Sequence, residues 1–158
     1  MRIITFDLGR HFAYAHNLGP KPVAVGFVLV GDTRAHRLGY LKRYLDNLFM
    51  SFESQGGSPG FDIAVYETPF ARGRDPTRSL WGMAGIIEAC ATNAGLAVTD
   101  VAVPTIKKHA TGHGKASKND MIAAAQRMGY KGADEHEADA VCLLKYAEAN
   151  LEKVVESK

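Results

Sequence analysis

Three carboxylates stand where folding alone does not require them. Asp7 closes the apolar run RIITFDLG (2–9), and Glu67 closes FDIAVYE (61–67). Acidic residues are depleted in strands and are almost never fully buried without a partner. By the two-residue alternation of a strand, Asp7 shares a face with Ile3 and Thr5, and Glu67 shares one with Ile63 and Val65. The third acid, Asp139, lies in HEADAVCLLKYA (136–147), aligned with Cys142, Leu143 and Tyr146 on an apolar helical face, with His136 one turn earlier. Asp134, Glu135 and Glu137 are sufficiently explained as first-turn acids that complement the helix dipole; Asp139 is too far inside the helix for that. Either strand acid alone reads better as the first residue of a water-facing loop; the pair, ending two buried strands, reads as a shared site. Asp7, Glu67, His136 and Asp139 converging from distant segments read as a divalent-metal site, with oxygen donors favouring magnesium or manganese.

Cations flank these acids. TIKKHATGHGKASKND (105–120) carries Lys107, Lys108, Lys115 and Lys118 together with two glycines, and ends at a capped helix start. Glycines let a ligand approach the backbone, and helix N-terminal amides helped by lysines favour phosphate. TPFARGRDPTR (68–78) directly follows Glu67 and adds Arg72, Arg74 and Arg78. Phe70, an aromatic in this polar stretch, either stacks on bases or tucks back into the core. Basic segments beside an acidic metal site suggest a nuclease, with lysines and arginines holding the backbone and carboxylates holding the metal.

The elements that must position these groups follow from periodicity. Strands are expected at 2–9, 11–17, 23–30, 61–67 and 96–103. Leu38, Leu41, Leu45, Leu48 and Phe52 mark a helix over roughly 34–54, capped by Thr33 or Asp32. Residues 68–78 read as a loop, and Ser79 as the cap of a helix that runs to about Ala94 and stops at Gly95. Ser117 with Asp120, and Asp134 with Glu137, form capping boxes for helices ending near Gly129 and over roughly 135–150. The order βββαβαβαα predicts an α/β fold with a five-stranded mixed sheet covered by helices on both faces.

The 158 residues suit one domain, 1–158. With 46% hydrophobic and 23% charged residues, disorder, collagen and a coiled coil are excluded. No apolar run is long enough to span a membrane, and MRIITFDLGR does not read as a signal peptide. Cys90 and Cys142 have neither metal-ligand spacing nor a disulfide framework, and read as small core residues of a reducing compartment. Residues 1–132 hold 16 Lys and Arg against 10 Asp and Glu; residues 133–158 hold 3 against 7. A basic body with an acidic C-terminal segment suits an anionic partner held near carboxylates, and suits an ordinary solvated surface equally. The final EKVVESK is expected to fray.

The chain resembles the RuvC-type Holliday junction resolvases of the RNase H-like (retroviral integrase) nuclease superfamily, phage-type members included. The resemblance covers nearly the whole chain: a first strand ending FDLG, then VYETPF, IKKHATGHGKASK and HEADA in order. It implies an RNase H-like fold and a homodimer that resolves four-way or branched DNA, each subunit nicking one of two symmetric strands. It implies phosphodiester hydrolysis to 5′-phosphate and 3′-hydroxyl ends, with two Mg2+ per site, Mn2+ substituting, and no nucleotide cofactor. Asp7, Glu67 and Asp139 match the family's metal-binding acids, and His136 falls where many relatives have another Asp and some have His. Lys107 and Lys118 match lysines of DNA binding and catalysis, and Phe70 an aromatic inserted near the crossover. The helix at 79–94, whose only charge is Glu88, is a candidate dimer surface, or else a helix buried in its own monomer. The implied location is cytoplasmic, in a bacterium or in a phage's host.

The chain departs from the family at His136, which offers a neutral nitrogen or a proton donor in place of a carboxylate, and in its Arg-rich 68–78 segment. YqgF-type RNA-processing nucleases share the fold and an initial Asp-x-Gly strand, but match GHGKASK and Glu67-Thr-Pro-Phe poorly. An actin-like phosphotransferase needs a second subdomain that this length cannot hold. A non-catalytic binder of branched DNA would not need the acids.

Overall fold

The computed structural model describes residues 1–70 and 72–151, so the expected fraying of 152–158 falls outside the described residues. Three strands, β1 (Ile3–Asp7), β2 (His11–His16) and β3 (Val23–Val28), precede α1 (Arg34–Ser51). Then follow β4 (Ile63–Glu67), α2 (Arg74–Asn93) and β5 (Ala97–Val101). The chain closes with α3 (Val103–Thr111), α4 (Lys118–Arg127) and α5 (Glu135–Asn150). The sheet order is β3-β2-β1-β4-β5. The first three strands meander antiparallel, whereas β4 and β5 run parallel to β1. The mixed sheet is as expected.

Alternation along the strands divides the core in two. Ile3, Ala13, Ala15, Ile63 and Val65 face α3, α4 and α5, which close over them with Ile106, Met121, Ala138, Val141 and Leu144. Ile4, Phe6, Phe12, Tyr14, Ala64 and Tyr66 face α1 and α2, meeting Leu41, Leu45, Phe49, Met83 and Ile87. Cys90 and Cys142 are free thiols, one in each layer, and burial pushes them up to about 11 and about 12.

Three expectations need correction. The segment 68–78 is not loop throughout: α2 begins at Arg74 with Gly73 as its N-cap, and Ser79 lies inside the helix. Gly73 turns the chain with φ 94°, and Pro76 falls in the first turn, where a missing N–H costs nothing. A helix absent from the expected order, α3, occupies part of the lysine-rich segment, again with a proline, Pro104, in its first turn. In both places the proline sits in the opening turn of a helix. The Asp134 cap is also only half a box. Asp134 accepts from the His136 and Glu137 amides at 3.0 and 2.9 Å, but Glu137 turns away toward Tyr130 and Gly26. The Ser117–Asp120 box is complete, and Thr33 caps α1.

Candidate active site

Parallel pairing of β1 with β4 brings their C-terminal ends side by side, so Asp7 and Glu67 emerge on the same face of the same sheet end. α5 crosses that face. The Thr5 hydroxyl donates to the Ala140 carbonyl at 2.7 Å, which fixes the helix over β1 one residue from Asp139. The small side chains of β2 beneath it, Ala13 and Ala15, and its own Ala138 and Ala140 are fully buried and let backbone approach backbone. One ligand oxygen from each of Asp7, Glu67 and Asp139 lies within 4.8 Å of the other two.

Packing three acids this closely has an electrostatic cost. Burial, then the Asp139 charge, holds the Asp7 carboxyl well above the ordinary carboxylate range. Burial and then Asp7 and Asp139 do the same to Glu67. Asp139 is pushed up to about 6, chiefly by burial, against an opposing pull from the Lys107 ammonium. Lys107 forms no ion pair within 4 Å among the described residues, so it acts on Glu67 and Asp139 through space. A buried cluster of carboxylates that repel one another is relieved by a multivalent cation. Three carboxylate donors with an adjoining imidazole fit a hard divalent cation.

His136 joins the cluster through Asp7, its Nδ1 lying 2.8 Å from Asp7 Oδ2. Its Nε2 lies 3.5 Å from Glu135 Oε1, and the other Glu135 oxygen accepts from Lys118 Nζ at 2.8 Å. The His11 ring stacks parallel on His136, with centroids 5.3 Å apart and 3° between planes. His11, Glu135 and Thr5 escaped the sequence reading. His11 had a signal, an exposed polar residue opening an apolar strand four residues after Asp7. The Glu135–Lys118 pair had none, because it joins the starts of two different helices.

Of the expected basic residues, Lys107 and Lys118 reach the site, Lys118 by way of Glu135. Arg72, Arg74, Arg78, Lys108 and Lys115 are exposed and form no ion pair among the described residues. Arg74 and Arg78 project from the first turns of α2 and Lys108 from α3, rather than from loops. Phe70 is 81% exposed, which removes the alternative of a core residue. It borders an apolar hollow with Pro69, Val103, Pro104 and Lys107, directly after Glu67. The 79–94 helix resolves into two faces. Met83, Ala84, Ile87, Cys90 and Ala91 are buried, while Trp81 is 50% exposed and Glu88 accepts from Tyr66 at 2.5 Å.

No family model matches the chain, and no curated protein matches it in sequence. In structure it is similar to Thermus thermophilus RuvC, with a TM-score of 0.72 and 18% identity over 96% of this chain and 97% of that one. It is also similar to T. thermophilus RuvC in complex with a Holliday junction substrate, with a TM-score of 0.75 and 20% identity over 96% of each chain. The fold is therefore that of these RuvC structures, an RNase H-like α/β fold. Among the described residues no helix is long and apolar enough to cross a membrane.

Proposed function

We propose that the chain is a structure-selective endonuclease that resolves Holliday junctions or related branched DNA by divalent-metal-dependent phosphodiester hydrolysis. One observation carries this reading: three carboxylates from β1, β4 and α5, Asp7 buried and Glu67 and Asp139 half-buried, meet within 4.8 Å of one another at one end of an RNase H-like sheet. The RuvC-like fold supports the choice of branched DNA as substrate.

Asp7, Glu67 and Asp139 would hold the metal, Mg2+ or Mn2+, two ions per site. When bound, such ions activate water and stabilise the charge on the leaving oxygen. The chain's own groups do the rest. His136 holds Asp7 at 2.8 Å, fixing the carboxylate's orientation and keeping an imidazole beside the reacting region. Lys107, facing the acids, limits their negative charge and steers a phosphate towards them. Lys118 exchanges its Glu135 partner for a phosphate oxygen. Lys108, Lys115, Arg72, Arg74 and Arg78 extend the backbone track, and Phe70 offers a ring on which a base at the branch stacks. Residues 1–158 act as one nuclease unit, two copies pairing through the exposed face of α2 so that symmetric strands are nicked together. The expected products carry 5′-phosphate and 3′-hydroxyl ends, and the expected setting is the cytoplasm of a bacterium or of a phage's host.

Incubating the protein with a four-way DNA junction, a linear duplex and a structured RNA, with and without magnesium, tests the reading. Paired nicks in the junction alone, only with metal, are expected. Preferential cutting of RNA would favour a YqgF-type activity, and metal-independent binding without cutting would reduce the chain to a junction binder.

A further inference from the structure

Resting on that reading, we infer that Glu137 is a positioning residue for the reaction: its carboxylate ties the first turn of α5 to the edge strand β3 and so sets His136 against Asp7.

The strand register shows what the tie spans. Asp7 pairs with Ala13, and Ala13 pairs with Gly26, so the three form one row across β1, β2 and β3. Adjacent strands lie about 4.8 Å apart, which puts the ends of the row roughly 10 Å from each other. Consecutive residues of α5 grip those two ends. His136 Nδ1 lies 2.8 Å from Asp7 Oδ2, and Glu137 Oε1 accepts from the Gly26 amide at 3.0 Å. Ala13, in the middle of the row, is fully buried and small enough for the helix to close over it. Nearly one turn further along α5, the Ala140 carbonyl accepts from the Thr5 hydroxyl at 2.7 Å. A helix held at one point can pivot about it. Anchors at Glu137 and Ala140, on different strands, remove that freedom, and the site residues His136 and Asp139 alternate with them along the chain.

The strand does not need this bond for itself. β3 is an edge of the sheet, where water can satisfy an unpaired amide. Glycine inside a strand weakens it and marks a close approach. A Cβ on Gly26 would lie 3.2 Å from Glu137 Cγ and 3.3 Å from Oε1, so a side chain there presses on the carboxylate. The other oxygen, Oε2, accepts from the buried Tyr130 hydroxyl at 2.5 Å, and that hydroxyl accepts from the Asp134 amide at 3.2 Å. Asp134 in turn caps α5 through the His136 and Glu137 amides. Both oxygens of Glu137 are thus engaged by the fold, and the residue stands outside the Asp7, Glu67 and Asp139 group.

The test compares Glu137→Ala, Glu137→Gln and Gly26→Val, with Val25→Ala, on the opposite face of β3, as a control for lost stability. One readout is the nuclear Overhauser effect between the His11 and His136 rings in metal-free protein, whose centroids lie 5.3 Å apart in the wild type. The other is single-turnover cutting of a saturating four-way junction. Glu137→Ala and Gly26→Val are expected to lose the ring contact and to cut about tenfold or more slowly, as small misplacements remote from the chemistry do. Their metal-free junction affinity should be unchanged. Valine favours a strand, so its defect would not come from a weakened β3, and it makes the same test should Glu137→Ala not fold. Glu137→Gln keeps an accepting oxygen for Gly26 and is expected to retain the ring contact and most of the rate. Val25→Ala should melt lower and keep both. A wild-type ring contact and rate in Glu137→Ala or Gly26→Val would overturn the inference. So would a Glu137→Gln protein as defective as Glu137→Ala, since charge and not the tie would then matter. Should wild-type protein not cut junctions, the functional reading fails, and the ring contact alone decides whether the tie holds His136.

Discussion

The two layers on either side of the sheet are built from opposite materials. The layer under α1 and α2 is filled by large rings, with Phe12, Tyr14 and Phe49 against Phe6, and Phe61 joined to Tyr14 through His16, while Tyr66 is buried in the same layer. The layer under α5 is lined near the acids by Thr5, Ala13, Ala15, Ala138 and Ala140. Large side chains fill volume and stabilise by burial, but they hold a helix away from the sheet. Small ones forgo that area and let α5 come close enough for Asp139 to meet Asp7 and Glu67. Both layers bury apolar side chains, but only the α5 layer places small ones next to the acids.

The largest expected effect comes from the α5 layer. Asp7→Asn and Glu67→Gln should each lower junction cutting by several orders of magnitude while leaving metal-free junction binding intact, as rate and gel-shift assays would report. On the aromatic layer, Phe6→Ala should cost about 3–5 kcal/mol of stability, read from denaturant midpoints. The protein that remains folded should cut at close to the wild-type rate. A proportionate loss of rate would mean that the two layers are not separable. Ala140→Val sharpens the contrast, since overpacking of this kind costs about 1–3 kcal/mol. It should nevertheless reduce cutting far more than Phe6→Ala does, because it lifts α5 from Thr5 and Asp7.

The smallest effect is a difference in pH response. His16 sits in the aromatic layer against Tyr14, Phe52 and Phe61, and burial lowers its pKa. A base with a depressed folded pKa contributes stability above its unfolded value near 6.5 that is lost as pH falls. His16→Phe should flatten that acid limb of the melting curve, by less than about 1.4 kcal/mol per pH unit.

Asp7 and Glu67 were legible in the sequence because an acid interrupts an otherwise apolar strand, and Asp139 because it sits on the core side of a helix. The sheet was legible because alternation and turn residues are local signals. What escaped depended on context. Pro76 and Pro104 disguised the start of α2 and the whole of α3, since a proline in a first turn and a proline in a loop are alike in sequence. Glu137 fits a capping box by spacing, yet its carboxylate serves the Gly26 amide at 3.0 Å and the Tyr130 hydroxyl at 2.5 Å. Gly26 permits this, since a Cβ there would lie 3.2 Å from Glu137 Cγ. The His11–His136 stack and the Glu135–Lys118 pair exist only once β2, α4 and α5 have come together.

The central claim is that the three acids strain the fold until a divalent cation joins them, and melting temperature against pH tests it directly. A carboxylate whose folded pKa is raised binds a proton more readily in the native state. Metal-free stability is then full below the unfolded pKa near 4, and is lost as pH rises through the raised folded values of Asp7, Glu67 and Asp139, the last at about 6. Metal-free wild-type protein should melt progressively lower from pH 5 to pH 8, and magnesium at pH 8 should restore the loss. Asp7→Asn should melt higher than wild type at pH 8 without metal and respond much less to magnesium. An Asp7→Asn protein that melts lower than wild type, with an undiminished magnesium response, would contradict the account.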